Sequence, residues 1–215
     1  MSLKNKKVLI TAGPTWVPID SIRVISNIAT GETGILLAEK LQELGAKVTL
    51  LLGPVQACCL DSKIRLIRFR FFDELRNKIM VELKNKKYDI LIHSAAVADY
   101  KPSMAYSQKV KSGLNNWQLN LVPTAKIIDS IKRIDSSLFL AGFKFEPKSS
   151  KDILLERTKE LIKRAHLDLG VANTVNKNQY RAYIIDHNQI YGPMFNKGDM
   201  AKKLIKLIGE SLWKN

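Results

Sequence analysis

The residues that could do chemistry gather in two stretches. The first is Ile92-His93-Ser94-Ala95-Ala96-Val97-Ala98-Asp99-Tyr100-Lys101-Pro102, followed by Lys109-Val110-Lys111. An apolar run stops in small residues, then presents one acid, an aromatic ring, a proline and spaced lysines. Small residues let a ligand approach the backbone, and an acid with lysines can handle a metal-bound polyphosphate. Such a combination suits a nucleotide site at the carboxyl end of a parallel strand, where open α/β sheets place their ligands. The second stretch holds Asp20-Ser21-Ile22-Arg23-Val24-Ile25-Ser26-Asn27 and Thr30-Gly31-Glu32-Thr33-Gly34. Gly31 and Gly34 open a helix whose N-terminus favours phosphate. Ahead of them, Gly13 lies in Thr11-Ala12-Gly13-Pro14-Thr15, a turn whose N–H groups could cradle an anion. Asn27 and Arg23 add a carboxamide and a fixed positive charge, which suit a carboxylate or the oxygen of an acyl intermediate. Taken singly, the glycines equally suit tight turns, Asn27 a turn and Arg23 a solvated surface.

These residues need a scaffold, and the chain alternates strand and helix patterns. Lys7 to Thr11 and Lys47 to Leu52 read as buried strands. Between them Leu37, Leu41 and Leu44 recur at helical spacing, with Gly45 where a helix ends. Ile64 to Phe69 predicts a third strand, Phe72 to Lys86 a helix, and Tyr88 to Ser94 a fourth strand. Ala95 to Asn116 reads as a long irregular loop, a kind that is usually functional. Trp117 to Val122 alternates like a short exposed strand, and Thr124 is placed to cap a helix running through Arg133. Leu138 to Phe143 is a further central strand, Asp152 to Ala165 an amphipathic helix, and Leu167 to Ala172 another strand. Arg181 to Tyr191 resembles a β-hairpin arm turning near Asp186-His187-Asn188. Met200, Leu204, Leu207 and Ile208 define a closing helix. The pattern predicts an α/β fold: a single Rossmann-like three-layer domain over residues 1–215, with a mainly parallel central sheet and a β-hairpin arm.

Composition narrows the class. The 215 residues are 46% hydrophobic, enough for a full core, and the longest apolar runs are too short to span a membrane. No cleavable signal precedes the first strand, so a cytoplasmic setting is expected. The adjacent Cys58 and Cys59 lack the spaced partners of a zinc or redox site. His93, His166 and His187 have no ligand spacing. The net charge of +15 invites a nucleic-acid reading. The lysines are spread over the whole chain, however, without aromatic interleaving or a DNA-binding motif, so a basic surface around an anion-binding cleft is favoured over nucleic acid. A nicotinamide-dependent oxidoreductase is the enzyme alternative. It expects a G-x-G-x-x-G fingerprint and an acid after the second strand, where this chain has Leu52-Gly53-Pro54.

Five ordered motifs carry a family resemblance. Ser26-Asn27-x-x-x-Gly31-x-x-Gly34 resembles the S-N-x-S-S-G-x-x-G loop of phosphopantothenoylcysteine synthetases. Ala95-Ala96-Val97-Ala98-Asp99-Tyr100-Lys101-Pro102 is similar to their A-A-V-A-D-Y-x-P signature. Lys109-Val110-Lys111-Ser112 resembles their K-x-K-K element, Gly142-Phe143-x-x-Glu146 their G-F-x-x-E, and Asp168-Leu169-Gly170-Val171-Ala172-Asn173 their D-x-x-V-A-N.

The resemblance implies a ligase that joins 4′-phosphopantothenate to L-cysteine through an acyl-nucleotidyl anhydride. It implies Mg²⁺ and a nucleoside triphosphate, CTP by the bacterial look of the motifs, with ATP possible. By the same match, Lys109 neutralises charge on the triphosphate, and Asp99 is the nucleotide- and metal-linked acid. Asn27 hydrogen-bonds the reacting acyl group, and Arg23 assists the cysteine half-reaction. Gly13, Gly31, Gly34 and neighbouring backbone hold the substrate phosphate, and Asn173 contacts the pantoate portion. Ala29 stands where the family has Ser, with Thr30 beside it to supply the hydroxyl. His93, Ser94, Ala95, Phe143 and the segment Ala125, Lys126, Ile127 and Ile128 line the base and ribose pocket. The family's late helical lysines map, with a small shift, to Lys159 and Lys163. The resemblance further implies a homodimer, with residues 181–191 as dimerisation arm. It also implies a stand-alone form without the flavin decarboxylase domain, and so no flavin.

Overall fold

The computed structural model describes residues 3–56, 60–85 and 87–213. Cys58 and Cys59, and Lys86 at the expected helix end, lie outside the described residues. The elements run β1 (Lys7–Ala12), β2 (Trp16–Pro18), β3 (Val24–Ser26), α1 (Glu32–Glu43), β4 (Lys47–Leu52) and β5 (Arg65–Arg68). They continue with α2 (Phe72–Asn85), β6 (Ile90–His93), β7 (Tyr100–Pro102), β8 (Leu121–Pro123), α3 (Ile128–Ile134) and β9 (Phe139–Phe145). The chain closes with α4 (Lys151–Ala165), β10 (Leu169–Asn176), β11 (Gln179–Ile185), β12 (Ile190–Met194) and α5 (Lys197–Leu212).

Eight strands form one sheet in the order β12-β11-β10-β9-β6-β1-β4-β5. Pairing is parallel from β10 through to β5, and antiparallel at β10–β11 and β11–β12. Strand side chains alternate between two cores, as the period of two requires. Val8, Ile10 and Leu50 pack with Leu37 and Leu41 of α1 and Leu204 and Ile208 of α5. Leu9, Leu91 and Leu140 pack on the opposite face with Leu75 and Ile79 of α2, Ile131 of α3 and Leu154 of α4. That arrangement is the expected three-layer α/β fold.

Helix ends follow their local chemistry. α1 stops one residue before Leu44, which is its exposed C-cap. Gly45 then takes φ +82°, its N–H donates to Gln42 O (2.9 Å), and the Ala46 N–H donates to Leu41 O (3.0 Å). These two bonds satisfy carbonyls the helix would otherwise leave open. α4 begins on Ser150, whose side chain accepts from the Ile153 N–H, and α5 on Asn196, which accepts from the Asp199 N–H.

Two expectations change. The segment 117–122 is not a strand along its length: only Leu121–Pro123 pairs, antiparallel to Tyr100–Pro102, inside what read as a loop. Thr124 caps no helix. Its hydroxyl donates to Ala98 O (2.6 Å) and its N–H to Asp99 O (2.9 Å), while α3 starts after Ile127. The hairpin expected over 181–191 is present, as β11 and β12. β11 pairs with β10 from Asn176↔Gln179 to Gly170↔Ile185, and Ala182 and Ile184 are fully buried. It is the edge of the central sheet, turned by Asp186, whose carboxylate accepts from the Asn188 and Gln189 N–H groups at 2.7 Å.

Candidate functional site

From β1 the chain moves outward to β4 and β5, then returns to place β6 on β1's other side. This reversal opens a crevice beyond the carboxyl ends of β1 and β6, the usual ligand position in such sheets. A cleft of about 720 Å³ lies there. It is lined from Gly13, Asn27 to Gly34, His93 to Val97 with Asp99, Thr124 to Ile128, Phe143 to Phe145, and Asn173. The structure therefore brings together Gly13, Asn27, Ala29, Thr30, Gly31, Gly34, His93, Ser94, Ala95, Asp99, Ala125, Lys126, Ile127, Ile128, Phe143 and Asn173. A larger hollow, about 990 Å³, opens at the opposite end of the sheet among Lys7, Lys47, Lys63, Arg65 and Lys87, and holds none of the motif residues.

The floor of the cleft is built by buried bonds. Thr11 is paired with His93 across β1 and β6, and its Oγ1 lies 2.9 Å from His93 Nδ1. Ser94 Oγ donates to Thr11 O (2.7 Å), and the Ala95 N–H donates to Thr11 Oγ1 (3.3 Å). Full burial pulls the His93 pKa down to about 4, so the ring is neutral near pH 7 and acts as a strut rather than a cation. The strand ends stay side by side past the sheet, where the Ala96 N–H donates to Gly13 O (2.9 Å). A side chain at Gly34 would stand 2.4 Å from Ala12 Cβ and 2.8 Å from Ser94 Oγ, so α1 reaches this floor only through a glycine. Gly31, the N-cap at φ +74°, turns the chain into the helix and opens its first turn on the cleft.

Asn27 connects the two motif stretches. Its Nδ2 donates to Ala96 O (3.1 Å) and Val97 O (3.2 Å). Asp99 projects at the mouth, 65% exposed, with Lys126 Nζ 2.5 Å from its Oδ1. On the far wall, Asn173 Oδ1 and the Tyr180 hydroxyl are buried without a hydrogen-bond partner among the described residues. Burial drives the Tyr180 pKa upward, so the phenol keeps its proton. β10 and β11 pair Val175 with Tyr180, which puts Asn173, Val175 and Tyr180 on one face of the sheet.

Four predicted residues stand outside the lining. Arg23 Nη1 is engaged by Asp20 Oδ2 (2.6 Å) and Val110 O (3.2 Å), and its guanidinium lies 5.1 Å from the Trp117 ring centroid. Lys109 is exposed on the loop after β7. Lys159 and Lys163 line a separate hollow with Asp152, Glu156 and Glu160 on the outer side of α4. The cation of α4 that lines the cleft is Arg164, whose Nε lies 3.0 Å from Asp129 Oδ1 at the start of α3. Arg164, Tyr180 and Lys197, the last bonded to Glu32 at the α1 opening, were missed by the motif reading. Arg164's only sequence signal was its place beside the buried Leu161, Ile162 and Ala165.

Residues 3–212 match the family described as DNA/pantothenate metabolism flavoprotein C-terminal domain. The chain belongs to that family. Its membership bears out the resemblance read from the motifs. A Coenzyme A biosynthesis bifunctional protein CoaBC of Thermococcus kodakarensis is 36% identical over 99% of this chain and 51% of its own length. The chain thus spans about half the length of the curated relatives it matches. The crystal structure of the DNA/pantothenate metabolism flavoprotein from Streptococcus pneumoniae superposes with TM-score 0.86 at 25% identity, covering 96% of this chain and 99% of that one. A Cab2 variant solved with phosphopantothenate-cysteine shares the fold, with TM-score 0.80 at 17% identity over 98% of this chain and 89% of that one.

Proposed function

We propose that this chain is a phosphopantothenate–cysteine ligase unit of coenzyme A biosynthesis that uses CTP or ATP. The observation that carries the reading is the cleft itself. At the sheet's reversal it gathers Asn27, Gly31, Asp99, Lys126 and Asn173, drawn from motif stretches far apart in the chain. The Thermococcus relative's name and the ligand in the Cab2 structure's description point the same way.

The chemistry has two steps. A free carboxylate resists attack by an amine, because its carbon is electron-rich and hydroxide leaves poorly. The carboxylate oxygen of 4′-phosphopantothenate therefore attacks the α-phosphorus of the nucleoside triphosphate, and pyrophosphate departs. The cysteine amine then attacks the acyl carbon of the mixed anhydride, losing a proton and expelling the nucleoside monophosphate. Gly31 and the first turn of α1 offer N–H groups and the positive helix end to the substrate phosphate. Asn173, with its unpaired buried oxygen, meets the pantoate portion. Asn27 holds the reacting acyl group, and the backbone from His93 to Ala95 with Phe143 receives the base. Lys126 and Arg164 supply fixed charge around the triphosphate, and Lys109 supplies the charge needed as pyrophosphate leaves. Asp99 is one exposed carboxylate, and no cluster of three metal-ligating side chains is found among the described residues. One carboxylate suits Mg²⁺, which keeps waters and phosphate oxygens as its other ligands. When bound, the ion neutralises phosphate charge.

A cytoplasmic homodimer completes the reading. Ile22, Tyr100, Met104, Leu121 and Val122 are exposed apolar side chains on the two small hairpins and their loop, which favours a second copy of the chain there. The test is nucleotide consumption by purified protein with Mg²⁺ and phosphopantothenate, with and without cysteine, comparing CTP and ATP. Pyrophosphate release is expected in the first step, limited to about one turnover without cysteine, and sustained release with nucleoside monophosphate only when cysteine is present. Folded protein that turns over neither nucleotide would overturn the proposal.

A further inference from the structure

We infer that Asp20 is a positioning residue for Lys109: its buried carboxylate, with the Arg23 guanidinium it holds, docks the Val110 peptide and so sets where the lysine stands. This rests on the proposed role of Lys109 in the ligase reaction.

The Asp20 side chain is fully buried and its two oxygens have separate tasks. Oδ1 accepts from the N–H groups of Ile22 (2.9 Å) and Arg23 (2.8 Å), the local bonding of an aspartate that starts a turn. Oδ2 serves a segment 90 residues away, accepting the Val110 N–H at 3.1 Å. The same oxygen holds Arg23 Nη1 at 2.6 Å, and Nη1 in turn donates to Val110 O at 3.2 Å. Both backbone polar groups of Val110, one from each peptide bond that flanks it, are thereby fixed by a charged pair. Turn geometry alone requires Oδ1 and leaves Oδ2 unexplained.

The dock is the middle of three fastenings. The Tyr106 N–H donates to Ile19 O (2.9 Å), and the Trp117 ring lies under the Arg23 guanidinium. Between these points the loop is exposed and carries its two lysines, Lys109 and Lys111, directly on either side of Val110. An exposed lysine whose neighbouring peptide is clamped keeps a mobile side chain on a fixed root. That is what charge delivery to a transferring phosphoryl group requires.

Asp20→Asn separates the two tasks. The carboxamide oxygen can still accept from Ile22 and Arg23, whereas its NH₂ would face the Val110 N–H and the guanidinium, donor against donor. Trypsin must detach the Lys109–Val110 peptide to cut it. Limited digestion with mass spectrometry should show cleavage after Lys109 and Lys111 faster by about tenfold or more, the loss expected for charged hydrogen bonds. The melting temperature should change little, and pyrophosphate release without cysteine should fall by a comparable factor. Unchanged cleavage overturns the dock, and faster cleavage with undiminished pyrophosphate release overturns the positioning. Should Asp20→Asn fail to fold, Trp117→Leu loosens the same guanidinium without touching the turn. A smaller rise in cleavage at the same lysines supports the dock, and none overturns it. Absence of turnover in the unaltered protein would sink the ligase reading, while the cleavage arm still decides the dock.

Discussion

The floor of the cleft and its rim are held by different physics. At the floor, the ends of β1 and β6 meet through buried and half-buried backbone and side-chain bonds set by strand register, and α1 packs on them through Gly34. At the rim, the β2–β3 hairpin, the β7–β8 pair and the loop of residues 103–120 rest on polar fastenings and one ring stack. The floor carries neutral groups: glycines, alanines, an uncharged His93. The rim carries Arg23, Asp99 and Lys109. On the proposed function, the buried floor supplies binding geometry and the exposed rim supplies charge. An enzyme transferring a nucleotidyl group needs both.

The sharpest way to break this division is Lys109→Gln. If the rim supplies the charge for pyrophosphate departure, turnover should drop by roughly a thousandfold or more with no change in melting temperature. A melting shift without loss of turnover would erase the distinction.

Acid sharpens the other side. His93 titrates at about 4 when folded against 6.5 ordinarily. Above pH 6.5 neither state is protonated and the group contributes nothing. Below it the unfolded chain takes up a proton that the folded chain refuses, so stability falls with pH, reaching a loss of about 3 kcal/mol near pH 4. Chemical denaturation across pH 7 to 4 measures this, and His93→Gln should flatten the dependence.

Gly34→Ala probes the floor's packing. A methyl 2.4 Å from Ala12 Cβ forces strand and helix apart, at a cost of about 1–3 kcal/mol in urea unfolding. The smallest effect is expected from Lys126→Ala at the mouth. Its exposed partner Asp99 is well solvated, so the nucleotide KM should rise by about tenfold or less while stability stays unchanged.

How legible each region was in the sequence follows from the same contrast. Strands buried on both faces gave continuous apolar runs, and α1 and α4 gave helical spacing, so the sheet and its helices could be read directly. The motif residues of the floor lie at strand ends and converge wherever the strands do. The rim was less legible. Trp117 looks like a strand residue until Arg23 is seen over its ring, and Thr124 looks like a cap until Ala98 O is seen opposite. On α4, Lys159 and Lys163 share the outer face. Arg164, one residue further and about 100° around the helix, turns toward α3 and the cleft. Spacing alone does not say which side of a helix faces a cavity.

The bond between Thr11 and His93 joins residues 82 apart, and Asn173 arrives later still. During synthesis the chain therefore emerges blind to its own ligands. The carboxyl ends of β1 and β4 exist early, but the crevice beside β1 needs β6, and its far wall needs β10. On the proposed function, a half-made chain has no wall against which to hold a nucleotide. A chain ended after β9 should show no nucleotide binding by calorimetry, where the full chain should bind. The candidate site is thus a property of the nearly finished chain, because no length short of β10 contains both of its walls.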